Sequence, residues 1–213
     1  YYASSGSINF RSDSARDYTV EFWMKPDSVT NAETDRLVHS DQKFVIWKYE
    51  DDIVFAPNYD VAFTASAVLT AGKWTHVACT WDASENALQV YIDGKLVLTG
   101  TDTTTDKTGA ASIRIGRKDD GSQEYDGYVD EVRLWEDVRT EGEIRENMFQ
   151  GGTLTSGGSS SEAGLFARWS LNEGTGTSST DSSSNSNNLT LNDAGAWAGA
   201  GTFTYGTSTL VMA

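Results

Sequence analysis

Seven Trp and nine Tyr in 213 residues form a generous aromatic supply. Rings beside carboxylates and amides suit sugar binding: the ring stacks on the apolar face of the sugar, and the polar groups take its hydroxyls. Trp23, Trp47, Tyr49, Tyr59, Tyr125 and Tyr128 are the candidate rings, and at least half of the aromatic residues are expected to fill the core instead. Oxygen-rich stretches offer a second chemistry. Asp181, Asn185 and Asn187 place three side-chain oxygens within seven residues, a spacing from which a loop can surround a hard cation such as calcium. The same composition equally describes a solvated turn.

Nucleophilic and redox chemistry is poorly supplied. Cys79 is the one cysteine, so no internal disulfide forms, and its run Val77-Ala78-Cys79-Thr80-Trp81 predicts a buried, inert thiol. His39 and His76 lie far apart in sequence. No serine or second thiol near His76 makes a nucleophile pair, so a hydrogen-bonded structural histidine is expected. There is no Gly-rich phosphate loop and no Cys/His cluster with zinc spacing.

Charge narrows the partners. Thirty-one acidic residues against 16 Lys plus Arg leave a net charge of −15. That balance disfavours nucleic acid and anionic membrane surfaces, both of which are bound through clustered cations. No apolar run approaches the roughly 20 residues of a membrane-spanning helix, so no membrane insertion is expected, and no signal peptide is visible. The opening Tyr1, in place of Met, is expected of a processed or truncated product.

These side chains must be carried mostly by strands. In Tyr18–Lys25, Val20, Phe22 and Met24 alternate with Glu21, Trp23 and Lys25. Similar runs cover Lys43–Tyr49, Val61–Ala65, Lys73–Trp81, Leu88–Ile92, Lys95–Thr99, Ser112–Gly116 and Tyr128–Trp135. Asp93-Gly94 has the composition of a two-residue type I′ hairpin, and Ala83–Asn86 makes the turn before it, giving a three-strand meander. Asp130 shares the parity of Val132 and Leu134, which points its carboxylate inward as a buried acceptor or as a calcium ligand. One helix is expected, opened by the capping box Thr140-Glu-Gly-Glu143 and ended at Gly151-Gly152. The pattern predicts an all-β chain: a two-sheet antiparallel jelly-roll sandwich with one short helix.

Residues 1–152 are expected to form the sandwich core and 153–163 a Gly/Ser-rich linker. Residues 164–213 hold further strands, through Gly164–Leu171 and Asn188–Leu191, which either complete the sandwich or begin a following repeat. The ending Tyr205–Met212 loosely echoes the opening Tyr2–Phe10, so self-association through terminal strands is a further expectation.

Three ordered blocks resemble the laminin-G-like domains of the concanavalin A-like lectin/glucanase superfamily, relatives of the pentraxins. They are Tyr18–Pro26; Gly72–Trp81 with Tyr91-Ile-Asp-Gly-Lys95; and Gly127–Trp135 leading to Arg139-Thr140 and Glu143-Ile144. A fourth, Gly164–Gly174 with Asp181–Asn187, looks like an edge strand and loop of the same group, with Ser184 in place of the usual Gly. The resemblance implies a jelly roll and places Asp119 and Asp120 near the acidic calcium cluster of pentraxins, where Arg117 and Lys118 replace acceptors. A phosphocholine-type activity is not implied. The superfamily also contains glycoside hydrolases, whose retaining members need two carboxyls about 5–5.5 Å apart on one strand face. Around Glu124, Asp126, Asp130 and Glu131 the required second Glu is replaced by Val129 or Tyr128, and Gly127 interrupts the strand, so the hydrolase reading fails on spacing. The expected function is non-catalytic recognition of glycans or protein surfaces in an extracellular, cell-surface or virion-surface assembly. The competing expectation is a structural repeat joined through its terminal strands.

Overall fold

The computed structural model describes residues 2–10, 16–40, 43–104, 109–150, 155–156, 159–160 and 163–192. The expected linker and the tail echo from Tyr205 to Met212 fall mostly or wholly outside these residues. Within the linker, Thr155–Ser156 and Ser159–Ser160 pair with each other as a two-residue-per-strand ladder.

In chain order the strands are β1 (Ala3–Ser5), β2 (Tyr18–Pro26), β3 (Thr34–Ser40), β4 (Phe44–Tyr49), β5 (Asp52–Ala56), β6 (Phe63–Ala65), β7 (Thr75–Asp82), β8 (Ala87–Ile92), β9 (Lys95–Thr101), β10 (Ile113–Ile115) and β11 (Gly127–Trp135). Helix α1 (Glu141–Asn147) follows, then β12 (Thr155–Ser156), β13 (Ser159–Ser160), β14 (Leu165–Trp169), β15 (Ser178–Ser179) and β16 (Leu189–Leu191). They build a larger sheet, β15-β16-β1-β10-β3-β4-β5-β6, and a smaller one, β14-β11-β2-β7-β8-β9. Every pairing is antiparallel, as the sandwich reading requires. The C-terminal strands pair with the N-terminal part: β14 lies on β11, with Ala167 opposite Leu134, and β16 lies on β1, with Leu191 opposite Ala3.

Alternation explains the layers. Val20, Phe22 and Met24 meet Val77, Cys79, Val90, Val132 and Leu134 between the sheets, facing Val38, Phe44, Ile46, Ile53 and Phe55 from the larger sheet. Phe10, Tyr18, Phe44, Phe55 and Phe166 pack within this core, with ring centroids 5.1–6.3 Å apart. Asp93 (φ 50°) and Gly94 (φ 72°) make the predicted hairpin turn, since both central positions need positive φ. The capping box is present: the Glu143 N–H donates to Thr140 Oγ1, and the Thr140 N–H donates to Glu143 Oε2. The helix closes at Met148, earlier than the glycine pair suggested. Cys79 is buried, and burial pushes its thiol up, as expected of an inert core residue.

Two strands lack the alternating signal. In β3 the register shifts between Arg36 and Val38, so Leu37 and Val38 both enter the core and the period is broken. β5 follows β4 through Glu50-Asp51, where Glu50 takes φ 52° without a glycine to advertise the turn. Asp130 is a buried acceptor, taking the Glu131 N–H at 2.8 Å, but a bulge corrects the direction in which it points. Asp130 pairs with Trp23, whereas Arg133 pairs with Glu21, leaving Glu131 (φ 49°) and Val132 together opposite Phe22. Asp130 therefore shares the outer register of Trp23 and Glu21, not the inner register of Val132.

Candidate functional site

The expected site residues are distributed over three regions. Tyr125 lies in the core between the sheets and offers no ring face to solvent, which corrects its assignment to ligand binding. Trp23 is also buried. Its indole N–H donates to the Met148 carbonyl at 2.8 Å, and its ring packs on His76 and Phe149, so it positions the chain after α1. Tyr128 is half-buried on the outer face of the smaller sheet, beside Lys25. Trp47 and Tyr49 come together on the outer face of the larger sheet.

That last face has the composition of a recognition site. On β3 and β4, Arg36 opposes Trp47 and Thr34 opposes Tyr49, so these four side chains occupy one patch. The Leu37 bulge lets Arg36 face outward while both following apolar residues turn in. The Arg36 guanidinium lies over the half-buried Trp47 ring, 5.5 Å from its centroid. Its Nε donates to Gln123 Oε1 at 2.7 Å, and its backbone N–H donates to the Gln123 carbonyl. Gln123 (φ 56°) is thereby pinned at the end of a loop closed by Lys118 N–H to the Ser122 carbonyl and Tyr125 N–H to the Gly116 carbonyl. Beside it opens a cleft of about 370 Å³ lined by Glu33, Thr34, Asp35, Gln123 and Glu124. Asp35 is held at its wall by the buried Lys48 ammonium at 2.9 Å, which also donates to Asn31. Burial lowers the Arg36 pKa, while Tyr59, Asp119 and Asp120 act the other way. His39, next along the same face, is held neutral: burial first, then Arg36 and Arg114, bring it down to about 3.

The metal candidates fare differently. Asp181 Oδ1 accepts from the N–H groups of Arg168 and Ser183, and Oδ2 accepts from Asn187 N–H and Ser183 Oγ. The amides of Asn185 and Asn187 turn their NH₂ groups to the Phe166 carbonyl. This buried carboxylate organises a loop around four donors, and its oxygens are spent. Asp120 is likewise engaged by Lys118 Nζ and by Ser122, and Asp119 is exposed. Hydrogen bonding to Lys118 and Ser122 holds the Asp120 carboxyl well below the usual range. A calcium ion needs six to eight oxygens free to coordinate it, and neither group fits one in this arrangement. Among the described residues no three His, Cys, Asp or Glu side chains converge as a metal site. Asp181→Ala is expected to cost about 3 kcal/mol, by leaving buried N–H donors without an acceptor. Urea unfolding measures this, and a loss below 1 kcal/mol would refute the role.

Sequence reasoning missed a buried polar cluster on the outer face of the smaller sheet beneath α1. Arg133 donates to Glu21, Glu131 and the carbonyls of Asn147 and Gln150, while Arg168 donates to Glu131 and Gln150. Burial raises the Glu21 carboxyl, but the His76 hydrogen bond, the charges of Arg133 and His76 and the Trp135 N–H together bring it to about 2. His76 Nε2 lies 3.4 Å from Glu21 Oε2 under the helix, which gives this histidine the structural place expected of it. Both carboxylates are committed to cations and shut from solvent, so this acid pair does not present itself to a substrate. Only the alternating Glu21 and Arg133 on neighbouring strands hinted at the cluster.

A laminin-G-type profile described as the concanavalin A-like lectin/glucanases superfamily matches residues 2–145. The chain belongs to that superfamily. Among solved structures it is similar to a Bacteroides ovatus protein described as carbohydrate binding, with a TM-score of 0.68 at 18% identity over 90% of this chain and 58% of that one. A native heptameric SAP-like pentraxin of Limulus polyphemus aligns with a TM-score of 0.58 at 18% identity, over 77% of this chain and 83% of that one. At these identities the likeness establishes the superfamily's fold alone. In sequence, the Sushi, von Willebrand factor type A, EGF and pentraxin domain-containing protein 1 of Rattus norvegicus is 26% identical over 140 residues. That match spans 60% of this chain and 4% of the rat protein's length. No helix among the described residues is long and apolar enough to cross a membrane.

Proposed function

We propose that the chain is a non-catalytic recognition module whose larger sheet binds neutral glycans through Trp47 and the adjoining cleft. One observation carries the reading: a partly exposed indole has on its face a guanidinium whose Nε donates to Gln123, and Gln123 lines a cleft of carboxylate, amide and hydroxyl groups. Ring and cleft together supply the stacking surface and the hydroxyl acceptors that a sugar needs. The exposed acidic residues of the lining, Glu33 and Glu124, accept hydrogen bonds from hydroxyls and, with the buried Asp35 behind them, repel carboxylated sugars. The carbohydrate-binding description of the Bacteroides ovatus protein supports the same reading. In it, residues 164–192 belong to the same sandwich as residues 2–150, supported by the pairing of β14 with β11 and β16 with β1. The module works in an extracellular or cell-surface assembly, supported by the heptameric pentraxin likeness and the strongly acidic composition.

A glycan array followed by titration of the best neutral oligosaccharide tests this. Trp47→Ala is expected to weaken binding by at least about tenfold, equivalent to about 1.4 kcal/mol, with an unchanged melting temperature. Chelation with EDTA is expected to leave binding intact. Absence of any neutral glycan ligand, or full binding by Trp47→Ala, would overturn the reading.

A further inference from the structure

The opposite side of the molecule carries a second aromatic surface that the larger-sheet site does not use. On the outer face of the smaller sheet, Tyr128 opposes Lys25 on β11 and β2, and Trp74 enters β7 beside them. The Lys25 ammonium sits over both rings, 4.2 Å from the Tyr128 centroid and 5.8 Å from that of Trp74. One register pair further along, Phe149 is 47% exposed and packs on Trp23 at 5.4 Å. Helix α1 covers Ala78 and Tyr91 through Ile144, and the residues after it reach Trp23.

The charge at this surface is as informative as the rings. Lys48, Lys73 and Lys118 each meet an aspartate. Lys25, by contrast, has ring faces for neighbours, and no carboxylate among the described residues lies within ion-pair distance of its ammonium. In a chain of net charge −15 that is an unusual place for a half-exposed cation. Aromatic walls exclude water from part of the ammonium shell, so an anion meeting its open side interacts through a lower local dielectric than at an ordinary surface lysine.

We propose that the Lys25–Trp74–Tyr128 surface is a second glycan site, selective for a carboxylated sugar. The carboxylate of a hexuronate residue takes the Lys25 ammonium, and its ring or that of the next residue rests on Trp74 and Phe149. The two faces then sort ligands by charge: the acid-lined cleft rejects uronates, and Lys25 recruits them. This site stands independently of the Trp47 reading, because it shares no residue with it.

The test is titration of the protein with a galacturonate tetramer, and separately with a neutral galactose tetramer, at ~0.15 M salt, where the distant acidic charge is largely screened. The galacturonate oligomer is expected to bind at least about tenfold more tightly than its neutral counterpart. Lys25→Met, which keeps the apolar stem, is expected to remove that preference, and Trp74→Ala to weaken both ligands at this face. Trp47→Ala is expected to leave galacturonate binding unchanged, which separates failure here from failure at the other site. Equal affinity for the two oligomers, no galacturonate binding, or full selectivity in a normally folded Lys25→Met would overturn the proposal. So would a dimer in sedimentation that Phe149→Ser dissociates, since the surface would then belong to a second copy.

Discussion

Arg133→Ala is expected to destabilise the protein by about 3–5 kcal/mol, the loss typical when one partner leaves a buried ion network. The guanidinium is almost wholly buried, and its fork reaches two carboxylates and two carbonyls at once. Its removal takes one cation from the buried Glu21 and Glu131 carboxylates, leaving His76 and the Trp135 N–H on the first and Arg168 on the second, and frees the Asn147 carbonyl at the end of α1, where a cation also complements the helix dipole. The melting temperature of a domain this size is expected to fall by about 10–15 °C. Arg133→Lys is expected to recover little, because a single ammonium cannot span the same four acceptors. The effect is also pH-dependent. Glu21 titrates lower in the folded chain than in the unfolded one, so its stabilising contribution holds above about pH 4.5 and fades as the pH falls toward 2. A loss below about 1 kcal/mol for Arg133→Ala at pH 7 would show that α1 docks without the network.

Asp130→Asn is expected to act in the opposite direction, stabilising the protein by about 2–4 kcal/mol at pH 8 and having almost no effect near pH 3.5. Burial, then the neighbouring Glu131 charge, push the Asp130 carboxyl up to about 7, with the Glu131 N–H and the Arg133 charge opposing and Glu173 reinforcing. The unfolded carboxyl titrates near the model-peptide value of about 3.9. Between those two values the folded chain binds the extra proton, so raising the pH through this window costs stability, and the cost saturates above about pH 7. Asparagine keeps an oxygen for the Glu131 N–H and removes the titration. Urea unfolding of both proteins from pH 3.5 to 8.5 measures the difference. A pH-independent difference would place the charge of Asp130 in solvent in the folded state.

Both effects arise where the chain departs from simple alternation, and that is where reading residues in order loses its grip. The two-sheet class was legible because apolar residues two apart in Tyr18–Lys25, Lys73–Trp81 and Leu88–Ile92 have one way to bury themselves without exposing polar neighbours. The Asp93-Gly94 turn and the Thr140–Glu143 cap were legible for a related reason: each is satisfied by groups within four residues. Whether an aromatic ring stacks on a ligand or fills a core depends on which strands meet across the sheet. Trp47 and Tyr49 face outward beside Arg36, Tyr125 is enclosed between the sheets, and Trp23 is covered by the segment after α1.

Composition and local pattern alone determined that this chain is acidic and forms an antiparallel sandwich with, among the described residues, one capped helix. Tertiary structure alone decided that Asp181 holds a loop and does not offer its oxygens to a cation, that a one-residue bulge turns Asp130 to the face beneath the helix, and that Arg36, Trp47 and Gln123 meet although 87 positions separate Arg36 from Gln123. The division has a physical cause. Hydrophobic burial follows the period of the strand and can be read from neighbours in sequence, whereas a polar side chain takes its role from partners that only the folded chain brings within hydrogen-bonding distance.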